Sequence, residues 1–381
     1  MKKSFVCFGL LLAFSFSSQA QIAKYSNAFL SIGVGARSLG MGGAQVATSG
    51  DVNSIYWNPA GMCEVDNNPQ VAAMHSEYFG GIAKYDFGGV VIPLDKNADK
   101  KSMLGLGLIR FGVDDIPNTL HLLDANGNIN YDNVSSFSAA DYGFFTSYAR
   151  EIINEDRGDK VVRIGGSAKI IHRIVGSFAS SWGFGLDVGV QAKLGAWRLG
   201  GVLQDATTTF NTWGFHFTDA DQAVLAQTGN VIPTRSSEIT APTIRLGAAY
   251  NFELGEDFTI LPEAGFDITT DGQRNVLISS KPFSVDPKIG VEGGYRNIVF
   301  LRLGLCNIQH QTDDVGKKIT TMQPNFGVGL RLNSFYIDYA LTSPGSAGNV
   351  LYSHVFSLKL DIGKKQTNSR NKYGRGHRHR Y

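Results

Sequence analysis

The chain has 381 residues, contains 45 glycines, and carries a formal charge of +2 with only 18% charged residues. A glycine content above the usual ~7% is typical of sharply twisted strands with crowded inner faces. The small net charge gives no reason to expect a nucleic-acid partner. Beyond the N-terminal region, no stretch approaches the roughly 20 consecutive apolar residues of a membrane helix, which excludes a helical membrane protein.

The N-terminus has the features of a secretory signal peptide. Lysines precede an apolar run from Phe5 to Phe16, and Ser18-Gln19-Ala20 supplies the small residues that signal peptidase requires. We therefore predict a signal peptide over residues 1–20, cleavage before Gln21, and export of the mature chain. The apolar run is too short for a retained membrane anchor.

The mature chain is predicted to have three parts. Residues 21–69 form an N-terminal segment, here called the hatch, residues 70–363 form a strand region, and residues 364–381 form a basic periplasmic tail. Removing Lys2 and Lys3 brings the charge from +2 to 0, and the tail holds seven Lys or Arg and no acid, so the remaining body carries −7. We expect the tail to be solvated and separate from the acidic body.

The hatch contains a glycine-rich motif, ARSLGMGGAQVATSGDVNSIYWNPAG, from Ala36 to Gly61. Its glycines permit positive φ and close backbone approach, and an Asn-Pro pair fixes a bend. The motif predicts a compact, irregular segment that is neither helix nor strand. Its marked residues are Arg37, Gly40, Gly42, Gly43, Trp57, Asn58, Pro59 and Gly61.

The region from Gln70 onward reads as about fourteen strands, several with a clean period of two. In the last strand one face is Phe356, Leu358, Leu360 and Ile362, and the other is Ser357, Lys359 and Asp361. In a soluble sandwich the apolar faces would meet in a core, whereas in a membrane barrel they face lipid and the polar faces line the lumen. We predict an all-β fold, a transmembrane antiparallel β-barrel of about 14 strands with an N-terminal hatch.

The lengths of the connections favour the membrane barrel. Short links, such as Gly195-Ala196, follow the even-ranked strands, and long links follow odd-ranked ones, at 114–140, 205–242, 269–282 and 309–320. Outer-membrane barrels have short periplasmic turns and long external loops. This sorting predicts a barrel in the outer membrane of a Gram-negative bacterium with both termini in the periplasm.

The motif of the hatch, followed by this strand pattern, resembles the FadL-type outer-membrane proteins, and most closely their PorV/PorQ branch. The motif covers about the first sixth of the chain, and the strand pattern fits the same family throughout. The resemblance implies a plugged barrel that docks beside the type IX translocon. Such a barrel binds the C-terminal domain of exported cargo and passes the cargo to an attachment complex. It catalyses no reaction.

FadL itself, with a similar hatch, implies an alternative function. It takes long-chain fatty acids or other hydrophobic compounds through a lateral opening. The motifs do not separate secretion from hydrophobe transport. Outer-membrane lipid is the expected surrounding in either case.

Strand parity places five cations inside the barrel. These lumen-facing candidates are Arg163, Lys169, Arg173, Arg302 and Arg331. Because buried cations need partners, they are expected to pair with acids of the hatch or of the opposite wall. A polar path or a ligand clamp is the alternative. We also expect Arg37 to pair with a lumenal acid.

The loop over residues 205–242 concentrates aromatic residues and contains a predicted helix from Asp219 to Gln227. The aromatic residues are Phe210, Trp213, Phe215 and Phe217. An exposed aromatic loop of this length is typical of a binding surface. A lid folded over the mouth of the barrel is equally consistent with the pattern.

No motif indicates catalysis, a cofactor or a metal. Residues 124–132 alternate like a calcium loop, but Ile129 stands where glycine is needed and Ser135 where a bidentate Glu is needed. Cys63 and Cys306 remain after signal removal, and they either pair or are two small buried side chains.

Overall fold

The structure, a computed structural model, describes residues 21–22, 26–95, 100–123, 127–155, 158–227, 229, 235–312, 316, 318–342 and 352–363. The predicted signal peptide and basic tail lie outside these residues, as does part of the calcium-like loop. Within the described ranges, no helix is long and apolar enough to cross a membrane.

The described chain consists mainly of strands. They are β1 (Gln21–Ile22), β2 (Gln70–Tyr78), β3 (Ala83–Pro93), β4 (Ser102–Asn118), β5 (Ser135–Glu155), β6 (Lys160–Val175), β7 (Ala179–Leu194), β8 (Trp197–Gln204), β9 (Thr209–Phe215), β10 (Arg235–Thr240), β11 (Thr243–Tyr250), β12 (Phe252–Leu254), β13 (Phe258–Thr269), β14 (Ile278–Ser279), β15 (Ser284–Tyr295), β16 (Val299–Thr312), β17 (Lys318–Leu332), β18 (Phe335–Thr342) and β19 (Ser353–Asp361). The helices are α1 (Ala36–Gly40), α2 (Ser54–Trp57) and α3 (Asp219–Gln227), with 3-10 helices at Ala28–Ser31, Pro59–Glu64 and Tyr131–Asn133.

Fourteen of these strands close into an antiparallel barrel. They are β2 to β8, β11, β13 and β15 to β19, each paired with the next, and β19 pairs with β2. Closure removes the open sheet edge, so the wall satisfies its backbone hydrogen bonds internally, as a bilayer requires. The predicted fold class is confirmed.

The period-two pattern separates an outer from an inner face. In β19 the outward Phe356 and Leu358 are 56% and 58% exposed, whereas Ser357 and Asp361 point inward and are buried. Large apolar side chains cover the outside of the barrel in the same way on β7, β13, β15, β16 and β17. This is the surface of a membrane barrel.

The longest connections lie at one of the two ends, as the sequence predicts, but the sorting is incomplete. Links 79–82 and 176–178 at that end are tight, whereas link 94–101 at the other end has eight residues. One end, called the short-turn end, has tight links such as 195–196, 296–298 and 333–334. The other, the long-loop end, carries links over 119–134 and 205–242. Two loops are shorter than predicted because their strands extend further. β4 and β5 reach into the predicted loop 114–140, and β16 and β17 reach into the predicted loop 309–320.

The connection over 205–242 is only partly a loop. Its predicted helix is present as α3, but β9 and β10 continue the wall beyond β8 and β11. Between the β8–β11 pair and the β9–β10 pair the ladder of backbone pairing is interrupted. We call this interruption the wall break. Gln204 pairs with Thr243 and Thr209 with Thr240, so four residues on one side oppose two on the other. This is a large bulge, which bends a strand locally.

The hatch lies inside the barrel and is more regular than predicted. Short helices replace part of the expected irregular chain because its buried N–H groups bond locally, as from Leu39 to the carbonyl of Gly35 and from Trp57 to that of Asn53. It starts at the long-loop end, where Ser26 donates a hydrogen bond to Glu238 and Asn27 to Thr240. It ends at the short-turn end, next to Gln70.

The two described ends of the chain therefore do not lie on one side, as the prediction of two periplasmic termini required. The last wall strand ends with Asp361 at the short-turn end, whereas Gln21 pairs with Glu238 at the long-loop end. The N-terminal part of the prediction failed because parity was counted on wall strands only, and the hatch runs the length of the lumen before the first of them.

Loop sorting predicts which end is outside the cell. An epitope tag after Asn128, in a long loop, should be reached by antibody on intact cells, because outer-membrane barrels place long loops externally. A tag after Ala196, in a tight turn, should be reached only after the outer membrane is permeabilised. The reverse pattern of labelling would overturn this topology.

Candidate functional site

The hatch is held by direct backbone contact with glycines of the wall. A Cβ atom on Gly304 would lie 2.1 Å from the backbone nitrogen of Gly42, and one on Gly327 would lie 3.2 Å from Cα of Gly40. Gly42 also has a φ of 65°, which favours glycine. Four other wall glycines also face the hatch backbone: Gly165, Gly200, Gly247 and Gly290. Gly105 and Gly189 face hatch side chains instead, those of Met62 and Asn58.

The remaining motif residues stabilise the hatch itself. Asn58 accepts a hydrogen bond from the backbone of Ala60 at 3.2 Å and donates to the carbonyls of Val46 (2.9 Å) and the wall residue Val190 (3.0 Å). Trp57 donates its indole hydrogen to the carbonyl of Val34 at 2.8 Å. Pro59 begins a 3-10 helix, where a missing N–H is harmless.

Gly43 and Gly61 leave space inside the hatch. A Cβ on Gly43 would lie 3.1 Å from the Trp57 ring, and one on Gly61 would lie 2.1 Å from the carbonyl oxygen of Ser49. The motif thus specifies the shape of a plug and its fit to the barrel.

A buried ion-pair network ties α1 to three wall strands. Arg37 donates to both carboxylate oxygens of Glu292 at 2.8 and 2.9 Å. Arg302 donates to Glu292 at 2.6 Å and to Asp338 at 2.7 Å. Breaking one member of such a network leaves an uncompensated buried charge.

A polar cavity of about 340 Å³ lies below this network, between the hatch and the strands β15 to β19. It extends to Asn297 and Arg331 at the short-turn end. On its inner side Lys359 donates to Asp51 at 2.7 Å. Burial alone would raise the pKa of the Asp51 carboxyl, but Lys359 and Arg37 outweigh it and hold that pKa below its usual range. This seam of the hatch is therefore charged and ion-paired.

Two predicted inward cations are buried in ion clusters. Arg163 lies 2.8 Å from Glu64 of the hatch and 3.5 Å from Glu151 of the wall. Lys169 lies 2.8 Å from Asp187 and 2.6 Å from Asp205. The Lys169 cluster sits at the wall break and joins its edge to β6 and β7.

Arg173 and Arg331 also point inward, near opposite ends. Arg173 donates to Asp141 at 2.8 Å and lies 5.1 Å from the centre of the Trp213 ring. Arg331 lies 5.0 Å from the ring of Tyr336 beside the cavity. The five candidate cations are thus brought to separate places and do not form one clamp.

A second inner surface is apolar, although the lumen of a channel-forming barrel is usually polar. It consists of inward side chains of β2 to β6, mostly toward the long-loop end: Tyr78, Tyr85, Phe87, Ile109, Phe111, Val113 and Ile171. Phe29 and Leu30 of the hatch pack into the same cluster.

Sequence reasoning missed this apolar inner surface. On β3 the alternation is inverted: Tyr85 and Phe87 are buried inside, whereas Lys84 and Asp86 point outward. Parity alone assigns the apolar face of a strand to lipid. The charged residues on the opposite face were the available signal.

The aromatic residues expected in one exposed loop are divided between surfaces, which corrects that prediction. Phe210, Trp213 and Phe215 lie on β9, where successive side chains alternate. Phe210 is 50% exposed on the outside, whereas Trp213 points inward toward Arg173. Phe215 stacks on Phe217 at the rim. They do not form a single binding surface.

Cys63 and Cys306 are both free thiols, so the structure shows no disulfide between them. Burial raises the pKa of the Cys63 thiol to about 12. Within the described ranges there is no group of three or more His, Cys, Asp or Glu residues that could hold a metal ion.

Three solved structures that resemble this fold are named as toluene transporters or hydrocarbon channels. The toluene transporter TbuX of Ralstonia pickettii matches with a TM-score of 0.51 and 12% identity, over 86% of this chain and 98% of TbuX. The monoaromatic hydrocarbon channel CymD matches with 0.51 and 12%, over 87% and 98%. A TodX deletion mutant, also a monoaromatic hydrocarbon channel, matches with 0.51 and 15%, over 87% and 99%.

At these identities the likeness shows the fold alone, a closed antiparallel β-barrel. The FadL-type resemblance and its PorV/PorQ branch stay predictions. The sequence matches no protein-family model and no curated protein.

Gly304→Ala should loosen the hatch, because its new Cβ has no room beside Gly42. Overpacking of this kind costs about 1–3 kcal/mol. In detergent gels of samples heated to increasing temperatures, the band of the folded barrel should therefore convert to the unfolded band at a lower temperature than in the wild type. Gly293→Ala is the matched control, since its nearest neighbour is 3.9 Å away. Equal behaviour of the two variants would contradict the packing role.

Arg37→Ala should weaken the attachment of the hatch to the wall, because it removes the buried ion pair with Glu292. Losing one partner of a buried network costs roughly 3–5 kcal/mol, whereas an exposed pair is worth about 0.2–1 kcal/mol. We expect increased antibiotic entry into cells that carry the folded variant. Arg296→Ala, which breaks the exposed pair with Asp257, should leave entry unchanged.

Proposed function

We propose that this protein is a non-enzymatic channel of the Gram-negative outer membrane that takes up small hydrophobic compounds. The observation that carries the proposal is the apolar inner surface of β2 to β6. A barrel that passes hydrophilic solutes has no need for buried tyrosine, phenylalanine and isoleucine on its lumenal face. Ligand sites for hydrophobic molecules are lined in this way.

The wall break supplies a place where such a compound could leave the lumen. Lys169, Asp187 and Asp205 close the break from inside. Two residues beyond Asp187, Gly189 already contacts Asn58 of the hatch. The break therefore lies at the level of the hatch, between Asn58 and the first hatch residues, Ser26 and Asn27, which bond to Glu238 and Thr240 on the long-loop side. A compound that enters from the long-loop end would meet the break after passing only this first segment of the hatch.

The hatch supports a lateral route rather than an axial one. Wall glycines contact its backbone around the barrel, and an ion-paired seam holds the remaining side. An axial route requires the hatch to give up these contacts. A lateral route requires only the rearrangement of one interrupted strand pair and the Phe29–Leu30 segment.

Names of the similar structures agree with this proposal. TbuX is a toluene transporter, and CymD is a monoaromatic hydrocarbon channel. The compound class for the present chain is accordingly a small hydrophobic molecule. The motif of the hatch favours a second candidate, a PorV/PorQ-like component of type IX secretion that works with the translocon, cargo C-terminal domains and the attachment complex.

Uptake measurements in cells that lack the native gene test the proposal. Val113→Arg, which puts a charge on the apolar inner surface, should lower the initial uptake of toluene or a long-chain fatty acid severalfold while the barrel stays folded. Val134→Arg is the matched control, because Val134 is exposed in the link 119–134 and is not part of the inner surface. Normal uptake in the deletion strain, with cargo retained in the periplasm, would contradict the proposed uptake function and favour a role in secretion.

A further inference from the structure

The outer face of the barrel is not uniformly apolar. On β13 the outward side chains from Phe258 to Ile268 carry no charge, and the same holds on β15 from Val285 to Tyr295. These lengths agree with the roughly 9–11 residues that a tilted strand needs to cross a bilayer. The two strands thus show how tall the lipid-facing band is on this molecule.

On β2, β3 and β4 the apolar band ends at about half that height. The outward residues of β4 are Leu104, Leu106 and Leu108, and Arg110 follows. For a strand tilted by about 40°, Arg110 lies roughly 15 Å above Leu104, inside a band about 25 Å tall. The wall itself continues beyond this point, because β4 extends to Asn118.

Charged and polar side chains fill the missing part of the band. One row across the three strands is His75, Asp86 and Arg110, and the next contains Glu77 and Lys84. His75 and Asp86 are 2.7 Å apart, and Asp86 and Arg110 are 3.6 Å apart. Lys84 lies 3.3 Å from Asp114. We call this set the charged wall patch.

Lipid is a poor neighbour for this patch. Its side chains are between 33% and 56% exposed, so the described part of the chain does not cover them. Charged groups on the lipid face of a barrel are destabilising in proportion to their depth. Pairing reduces the penalty without removing the need to hydrate both members. Another protein surface would satisfy them.

The distribution of charge fits a copy of the same surface. Each cation on one strand has an acid as its neighbour on the other: Asp86 beside Arg110, and Lys84 beside Asp114. A two-fold axis along the membrane normal, passing between β3 and β4, would set β3 of each copy against β4 of the other. Asp86 would then oppose the second copy's Arg110, and Lys84 the second copy's Asp114. Isologous interfaces are self-complementary in this sense.

The surface below the patch permits close approach. Gly88, on the outer face of β3, has no atom within 4 Å of where a Cβ would stand. Its neighbour in the same row on β2 is the small Ala73. We propose that the charged wall patch is the contact surface of a homodimer within the membrane.

Cysteine cross-linking tests this contact in intact outer membranes. Gly88→Cys, treated with a short bismaleimide, should give a band of twice the mass of the chain. Ala264→Cys, outward on β13 on another part of the wall, should not. Equal cross-linking of both positions would indicate random collision and overturn the proposal, as would a Gly88→Cys adduct formed only with a different protein.

Charge exchange tests the pairing itself, with differently tagged chains. Asp86→Arg leaves a chain with two arginines at the contact, and Arg110→Asp leaves a chain with two aspartates. Each variant alone should lose cross-linking through Gly88→Cys, because like charges then oppose each other. Expressed together, the two should cross-link to each other at the level of the wild type. Failure of this rescue, with both barrels folded and heat-modifiable, would overturn the two-fold arrangement.

Discussion

Close contact between the hatch backbone and the wall glycines is the constraint on which the rest of the structure depends. Gly42 and Gly304 meet with no side chain between them, so the plug and the barrel share one packed interior. This contact fixes the position of α1 and with it the position of Arg37 against Glu292. It also explains why a chain with 45 glycines forms a stable barrel, since many of them replace side chains that the hatch excludes.

The same packing makes the interior strongly asymmetric. Strands β2 to β6 offer the hatch an apolar surface, whereas β15 to β19 hold it with ion pairs and a polar cavity. The asymmetry appears again outside, where the inverted strand β3 turns Lys84 and Asp86 toward the membrane. The inverted pattern of β3 therefore contributes both to the apolar lumen and to the charged wall patch.

Much of the wall was predictable from sequence, because strand periodicity and loop length are local properties. The alternation of Phe356 and Ser357 and the tight turn at Gly195-Ala196 follow directly from it. The wall break was not predictable, since Thr209–Phe215 reads as an aromatic loop until β7 is seen beside it. The acidic partners of Lys169 and Arg302 could not be predicted from sequence either, because they depend on the register between distant strands. The motif identified the hatch, but the contact of Gly40 with Gly327 needed the folded barrel.

A plug inside a closed barrel has a consequence for assembly. The hatch precedes the wall in the chain, and Glu292, Arg302, Asp338 and Lys359, which bind its charged seam, lie on the strands made last. A hatch that entered the ring after β19 had joined β2 would have to be unfolded, because its folded form contacts wall strands on both sides of the lumen. We therefore expect the C-terminal strands to wrap around a hatch that already lies against β2 to β6. The apolar contacts with β2 to β6 would then form first, and the ion pairs with the C-terminal strands would form as the barrel closes.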